Sequence, residues 1–165
     1  MVKKLLLILL VIAPLSLLAQ DKYAYVNTQE VINKMPELGD IETKLVAKQE
    51  SIRKTIENIQ KEYNEKLELI KDTVNVSASV LQDRYRQLEQ IQERYETFMQ
   101  NSQTEYKQEQ ERLFAPIQQK VQQAIKDVGD ANNYTYIFDF NMLIYKSPKA
   151  VDATQQVKTK LGITN

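Results

Sequence analysis

Apolar residues recur at helical spacing over most of the chain, in steps of three and four. Each half of this stretch therefore carries one narrow apolar stripe on a surface rich in Gln, Glu and Lys. Between Asp40 and Val128 there is no Gly and only one Pro, which favours long helices. The first stripe consists of Leu38, Ile41, Leu45, Ile52, Ile56, Ile59, Tyr63, Leu67, Ile70 and Val74. The second consists of Leu81, Tyr85, Leu88, Tyr95, Met99, Tyr106, Leu113, Ile117, Val121, Ala124 and Val128.

The two stripes are separated by the sequence DTVNVSAS, which is rich in poor helix formers. A helix with a narrow apolar stripe needs a partner to cover it. We therefore predict an ascending helix over Glu37–Asp72, a turn at Val74–Ala78 and a descending helix to about Ala131. Ser79 and Gln82 have the spacing of a helix N-cap and its reciprocal partner. The alternative is one uninterrupted helix that pairs with another chain.

The apolar pattern of the first helix repeats after eleven residues, because Ile52 and Ile59 are followed by Tyr63 and Ile70. This period favours a nearly straight helix pair over a strict heptad supercoil. Polar side chains also fall at or beside the seam between the helices. They are Lys48, Gln92, Ser102 and Glu109. We expect a loosely held, flexible helical arm.

Two islands of strand-type sequence flank the long helices, YAYVN at 23–27 and YTYIFDFNMLIYK at 134–146. In the second island the aromatic residues from Tyr134 to Phe140 alternate onto one face of a strand. The chain is then predicted to turn at Asn141–Met142 and to form a third strand at Leu143–Lys146. A last short helix follows, closed by Gly162.

A helical hairpin returns the chain to its starting point, so the two islands come together. One chain then supplies three short strands, too few for a stable closed sheet. We predict that several chains pool their strands into one body. The residues predicted to form this oligomeric contact are Tyr23, Tyr25, Val26, Tyr134, Tyr136, Phe138, Phe140, Leu143 and Tyr145.

The first twenty residues have the pattern of a secretory signal peptide. Lys3 and Lys4 precede the apolar run LLLILLVIAPLSLLA, and Ala19 is a small residue before a cleavage point. The alternative is a membrane anchor, which the short run and Pro14 disfavour. We expect cleavage and a mature chain that begins at Gln20 or Asp21 outside the cytoplasm.

The composition of the chain excludes several classes of function. The chain has no Cys, His or Trp, which removes disulfides, thiol chemistry and the commonest general base and metal ligand. Loss of Lys3 and Lys4 would leave the mature chain about two charges negative, without the basic excess of nucleic-acid-binding proteins. The acidic pair Glu109/Glu111 fits a solvated helix face better than a catalytic site. We therefore expect no enzyme activity, no metal, no cofactor and no nucleic-acid partner.

The whole chain resembles the Skp/OmpH family of periplasmic chaperones. The most specific similarity lies in FAPIQQKVQQAIKDV at 114–128 and in YTYIFDFNMLIYKSPKAVDATQQVKTKLG at 134–162. The signal peptide, the first strand ending in YVN and the long polar hairpin also fit. The resemblance implies a mainly α fold with a small β part, in which a long antiparallel hairpin, or tentacle, projects from a β-rich oligomerisation body.

The resemblance also implies a homotrimer whose tentacles enclose unfolded outer-membrane proteins without ATP. The implied organisation is a signal peptide at 1–20, a trimerisation body formed by 21–36 and 129–165, and a tentacle at 37–128. Well-known family members are strongly basic, whereas this chain is near neutral. We therefore do not extend contact with membranes or lipopolysaccharide from the family to this chain. Two alternatives remain: a structural coiled-coil protein of the envelope, and a lipid or lipopolysaccharide carrier.

Two residues beside the stripe of the descending helix, Phe98 and Phe114, and one residue of the stripe, Met99, are predicted client contacts. The tyrosines Tyr85, Tyr95 and Tyr106 favour seam packing over client contact. Pro116 removes a helix hydrogen bond, so it predicts either a fixed kink or a hinge at the root of the arm.

Overall fold

A computed structural model describes residues 21–71 and 76–163 of the chain. The chain divides into two compact units. One unit, here called the body, contains the described residues up to Met35 and from Gln118 onward. The other, the arm, is Pro36–Ile117. The predicted signal peptide and the first two residues of the predicted turn, 74 and 75, lie outside the described residues.

The body is built on a three-stranded parallel sheet in the order β2-β1-β3. The central strand β1 is Tyr23–Val26, and it pairs with β2, Tyr136–Asp139, and with β3, Val151–Asp152. In the register Tyr23 lies opposite Tyr136 and Ala24 lies opposite Val151. All pairs are parallel, so the strands have to be linked by long crossovers and not by hairpin turns.

The prediction of a third strand at Leu143–Lys146 is wrong. A short 3-10 helix at Phe140–Met142 follows β2, and Asp139 Oδ1 accepts a hydrogen bond from the amide of Asn141 at its start (2.8 Å). The third strand is instead Val151–Asp152. Pro148 lies between the two segments and lacks the N–H that a strand ladder needs.

Two short helices pack against the sheet and complete the core of the body. They are α1, Thr28–Asn33, and α4, Thr154–Lys160. Val31 of α1 and Val157 of α4 are fully buried. Beside them the buried ammonium of Lys158 forms an ion pair with Glu30, so α1 and α4 are joined by a charged contact as well as an apolar one.

The arm contains two long helices, which confirms the predicted mainly α fold with a small β part. They are α2, Leu38–Lys71, and α3, Ala78–Asn132, whose last residues belong to the body. The first intrahelical bond of α3 runs from the Leu81 amide to the Ser77 carbonyl (3.1 Å). The hydroxyl of Ser77 accepts from the Val80 amide (3.4 Å). Ser77 is therefore the cap, and the prediction of Ser79 placed it two residues too late.

The contacts between α2 and α3 show that they are antiparallel. Lys48 forms an ion pair with Glu105 (2.7 Å), and Glu62 forms one with Arg94. Nearer the turn, the guanidinium of Arg84 donates to the carbonyl of Leu69. Positions rise along α2 as their partners fall along α3. The alternative of one uninterrupted helix is therefore wrong for this chain.

The seam between the two helices follows the predicted stripes with local exceptions. Ile59 and Leu88 are buried as expected, whereas Tyr85 is 56% exposed and does not pack in the seam. The stripe passes instead through Arg84, which reaches across to α2, and through Ile91, which the sequence analysis omitted. Tyr95 and Tyr106 are half-buried at the seam. The seam is thus only partly apolar.

The C-terminal end of α3 at Asn132 lies one residue beyond the predicted end at about Ala131. Gly129 remains helical, and Asn133 takes the left-handed conformation with φ 55°. The amide of Tyr134 then bonds back to the Gly129 carbonyl (3.0 Å), as in helix ends closed by a left-handed residue. A Cβ added at Gly129 would lie 3.5 Å from Ile137 Cδ1, an ordinary contact. Gly162, in contrast, has φ 73°.

These two glycines should respond in opposite directions to alanine. Gly129→Ala should raise the free energy of unfolding by about 0.5–1 kcal/mol, because a helical glycine is entropically costly. Gly162→Ala should lower it by about 1–2 kcal/mol, because Cβ disfavours the left-handed region. Urea unfolding followed by circular dichroism measures both variants. A loss of stability in Gly129→Ala would contradict the described helix end.

Candidate functional site

The outer face of the sheet is an exposed aromatic cluster formed by Tyr23, Tyr136 and Phe138. Along β2 the side chains alternate, so that Tyr136 is 58% and Phe138 44% exposed while Ile137 turns inward. The Tyr23 and Tyr136 rings stack with centroids 6.0 Å apart, and Phe138 lies 5.9 Å from Tyr136. The stacked rings shield one another only in part, and the rest of this apolar face meets water.

The other predicted oligomerisation residues have different surroundings. Tyr25 and Val26 are buried inside the single chain, in the central strand. Tyr134 is half-buried, and its hydroxyl lies 3.5 Å from the side-chain amide of Gln156. Phe140 is 36% exposed, and its ring centroid lies 5.8 Å from that of Tyr25. Within one chain, therefore, Tyr25 and Val26 act as core residues.

The segment that follows the 3-10 helix exposes further apolar side chains. Leu143 is half-buried, but Met142, Ile144 and Tyr145 are almost fully exposed. Sequence analysis identified Leu143 and Tyr145 and missed Met142 and Ile144. The pattern of this segment is typical of a strand, and a strand would bury alternate residues. Nothing in the sequence signals that the segment leaves the sheet.

A polar network holds this segment and β3 to the centre of the sheet. The hydroxyl of Tyr25 donates to Asp152 Oδ2 (2.9 Å) and accepts from Lys146 Nζ (2.7 Å). Lys146 Nζ also lies 4.3 Å from the centre of the Tyr25 ring. Asp152 Oδ1 accepts from the amide of Thr154 (2.9 Å), at the start of α4. Burial opposes ionisation of Asp152, but these hydrogen bonds and the nearby Lys146 lower the pKa of Asp152 below its usual value.

The predicted client contacts lie on α3, at the surface of the arm. Phe98 and Phe114 are half-buried, and Met99 is 36% exposed. Pro116 is an exposed residue inside α3. Its ring supplies no N–H to the carbonyl of Arg112. The helix is therefore weakened locally near the end of the arm unit.

Two open clefts interrupt the seam of the arm. The larger has a volume of about 460 Å³. It lies between Ile59, Gln60, Tyr63 and Asn64 of α2 and Ile91, Gln92 and Tyr95 of α3. The smaller has a volume of about 250 Å³ and is lined by Gln49, Ile52, Met99, Ser102, Gln103 and Tyr106. Ser102 is buried at the floor of the smaller cleft, where a small side chain leaves the space unfilled. Sequence analysis singled out several of these residues but predicted no cleft.

Many charged side chains of the arm form ion pairs on its solvent-exposed surface. Glu109 accepts two hydrogen bonds from Arg112, which hold the pKa of the Glu109 carboxyl below its usual value. Exposed pairs of this kind contribute little to stability. Among the described residues, no group of His, Cys, Asp and Glu has the arrangement of a metal site. A search of the same residues found no helix long and apolar enough to cross a membrane.

These features define a helical-hairpin protein with a small, aromatic-faced parallel sheet. The profile of the OmpH-like outer membrane protein family matches residues 22–161, and the chain belongs to this family. The fold is similar to the crystal structure of a Caulobacter crescentus protein provisionally described as an outer membrane chaperone (OmpH-like). The TM-score is 0.73 at 12% identity, over 87% of this chain and 85% of the other. At this identity the similarity shows a shared fold. No curated protein matches the chain significantly.

The Asp152 network predicts a pH-dependent contribution to stability. Because folding lowers the pKa of Asp152, its stabilisation is fully present above the unfolded value of about 3.9 and is lost as pH falls through the folded value. Asp152→Asn should lower the free energy of unfolding by about 1 kcal/mol at pH 7. This is less than a hydrogen bond to a charged group usually contributes, because the residue is solvent-exposed. The difference from wild type should shrink below about pH 4. Urea titrations at pH 7 and pH 3 measure both proteins, and an equal difference at the two pH values would contradict this role.

Proposed function

We propose that the protein is an ATP-independent holdase chaperone of the periplasm that binds unfolded outer-membrane proteins and prevents their aggregation. The observation that carries the proposal is the arm, a long antiparallel hairpin with a partly open seam, in a chain that belongs to the OmpH-like family. Half-buried and exposed apolar groups on this arm offer weak contacts to many sequences. No cofactor and no catalytic residue enter the mechanism.

The assembly we propose is a homotrimer held together by the bodies. The exposed cluster of Tyr23, Tyr136 and Phe138 supports it, together with the exposed side chains of Met142 and Ile144. Strands β2 and β3 are both sheet edges, which are sites of pairing with another chain. Burial of each large aromatic side chain would contribute about 1.5–3 kcal/mol.

The proposed mechanism is sequestration between the arms of the trimer. Weak contacts from three arms add through effective concentration, so no single contact has to be strong. Release follows when an acceptor binds or folds the client. Pro116 is proposed as a hinge of the arm, because the helix lacks a hydrogen bond there.

An aggregation assay tests the proposed function. An unfolded outer-membrane β-barrel protein is diluted from urea with and without the mature chain, and light scattering is recorded. Suppressed scattering without ATP is the expected result. Unchanged scattering would leave a structural coiled-coil protein, and binding to lipopolysaccharide vesicles alone would indicate a lipid carrier.

The aromatic cluster should be required for assembly. Phe138→Asp should dissociate the oligomer at micromolar concentration, because it places a charge on the face that another chain has to cover. Tyr85→Asp, which changes a somewhat more exposed aromatic residue of the arm, is the matched control and should leave the mass unchanged. Sedimentation equilibrium measures both. An intact Phe138→Asp oligomer would rule out this face as the contact.

Client binding should survive the loss of any single arm contact. Alanine at Phe98 or at Phe114 should weaken protection of the unfolded barrel by about tenfold, which corresponds to the low end of the free energy of burying one side chain. Met99→Ala is expected to behave in the same way. The scattering assay gives the comparison. Complete loss of protection in any one variant would mean a discrete pocket and would overturn the distributed model.

A further inference from the structure

The two clefts of the arm are related by the eleven-residue repeat of the sequence. On α2 the smaller cleft is lined by Gln49 and Ile52, and the larger is lined by the residues eleven positions later, Gln60 and Tyr63. The same relation holds on α3. There the pairs are Ile91 and Ser102, Gln92 and Gln103, and Tyr95 and Tyr106. Because the helices are antiparallel, a shift of eleven residues in opposite directions converts one cleft into the other.

The linings of both clefts contain no charged side chain, although 27% of the residues of the chain are charged. Each cleft combines a tyrosine ring and apolar groups with glutamine amides at the rim. The rim amides of Gln60 and Gln92, and of Gln49 and Gln103, are solvent-exposed. A primary amide can both donate to and accept from a peptide group. An uncharged apolar floor with an amide rim fits a neutral peptide segment with a large apolar side chain.

We propose that the two clefts are repeated binding sites for aromatic or large aliphatic side chains of an extended, unfolded polypeptide. The inference rests on the proposed function and names the sites on the arm that hold the client. Eleven helical residues advance about 16 Å, which an extended chain spans with about five residues. Two side chains enter clefts on the same face of the arm only if an even number of residues separates them along the extended chain. One client segment would therefore place two apolar side chains, about six residues apart, in the two clefts while its backbone meets the glutamine rims.

The eleven-residue repeat allows two weak sites to bind one polypeptide together. Each cleft would bury only one side chain, so a peptide with a single aromatic residue binds weakly. Occupation of the second cleft is an intramolecular step once the first is filled, and affinity then rises without any new type of contact. The absence of charge in the linings would exclude charged side chains from the clefts and select neutral apolar ones.

A pair of charge-matched variants tests the proposal. Gln92→Glu with Gln103→Glu places one negative charge at the rim of each cleft. Gln90→Glu with Gln100→Glu adds the same charge to the same helix at exposed positions outside both linings. The probe is a neutral, unstructured peptide with two phenylalanines about six residues apart, measured by fluorescence anisotropy with the full-length mature protein. We expect about tenfold weaker binding for the rim variant and wild-type binding for the control.

Two further measurements complete the design. A peptide with the two phenylalanines adjacent can fill only one cleft, and it should bind about tenfold more weakly than the spaced peptide. Ser102→Leu fills the smaller cleft without changing charge, and it should abolish this dependence on spacing. Circular dichroism of every variant checks that the helices are intact.

The outcomes separate this inference from the proposed function. Equal binding by the rim and control variants, with wild-type suppression of barrel aggregation, would overturn the cleft sites and leave the holdase function standing. A wild-type protein that neither suppresses aggregation nor binds the peptide would overturn both. If the rim variant binds the peptide more weakly and suppresses aggregation less, while the control variant does neither, the cleft sites and the holdase function are both supported.

Discussion

The pairing of β1 with strands from the far end of the chain is the constraint on which the rest of the structure depends. Tyr23 lies opposite Tyr136, and Ala24 opposite Val151, so the central strand has no partner until the whole hairpin has been made. Two antiparallel helices bring the chain back to β1. Parallel pairing also requires long connections, and here one of them is the arm itself. The parallel pairing of β1 therefore accounts both for the sheet of the body and for the long connection that forms the arm.

The seam of the arm is weak along much of its length, and this weakness fits the proposed function. Its cross-helix ion pairs, such as Lys48 with Glu105, are partly or fully exposed and contribute little stability. Its apolar stripe is interrupted by Ser102 and opens into two clefts. A tightly packed pair would be more stable but would offer a client fewer uncovered apolar groups. The same eleven-residue period that spaces the stripe also spaces the clefts.

The helices could be predicted from the sequence because their period is a local property. The predicted helix bounds agree with Leu38–Lys71 and Ala78–Asn132 to within one or two residues, apart from the cap at Ser77. The alternation along β2 also predicted that Tyr136 and Phe138 share one face. Resemblance to the OmpH family, seen in the closing segment, is confirmed by the family match.

Features that depend on distant partners could not be read from the sequence. Leu143–Lys146 has a strand pattern, but the edge of β1 is occupied by Val151–Asp152, which Tyr25 secures through Asp152. Tyr85 fits the stripe by its spacing, yet Arg84 takes the seam position because its long side chain reaches a carbonyl of the partner helix. The clefts arise where small or polar residues of two helices face each other, which a pattern along one helix does not reveal.

The most direct test of the account is the mass of the mature protein, measured by native mass spectrometry with and without an unfolded outer-membrane β-barrel protein. We predict a particle of three chains without the client, and a particle of three chains and one client when the client is present. A single chain that carries no client would contradict both the shared aromatic face and the cage that it is proposed to support.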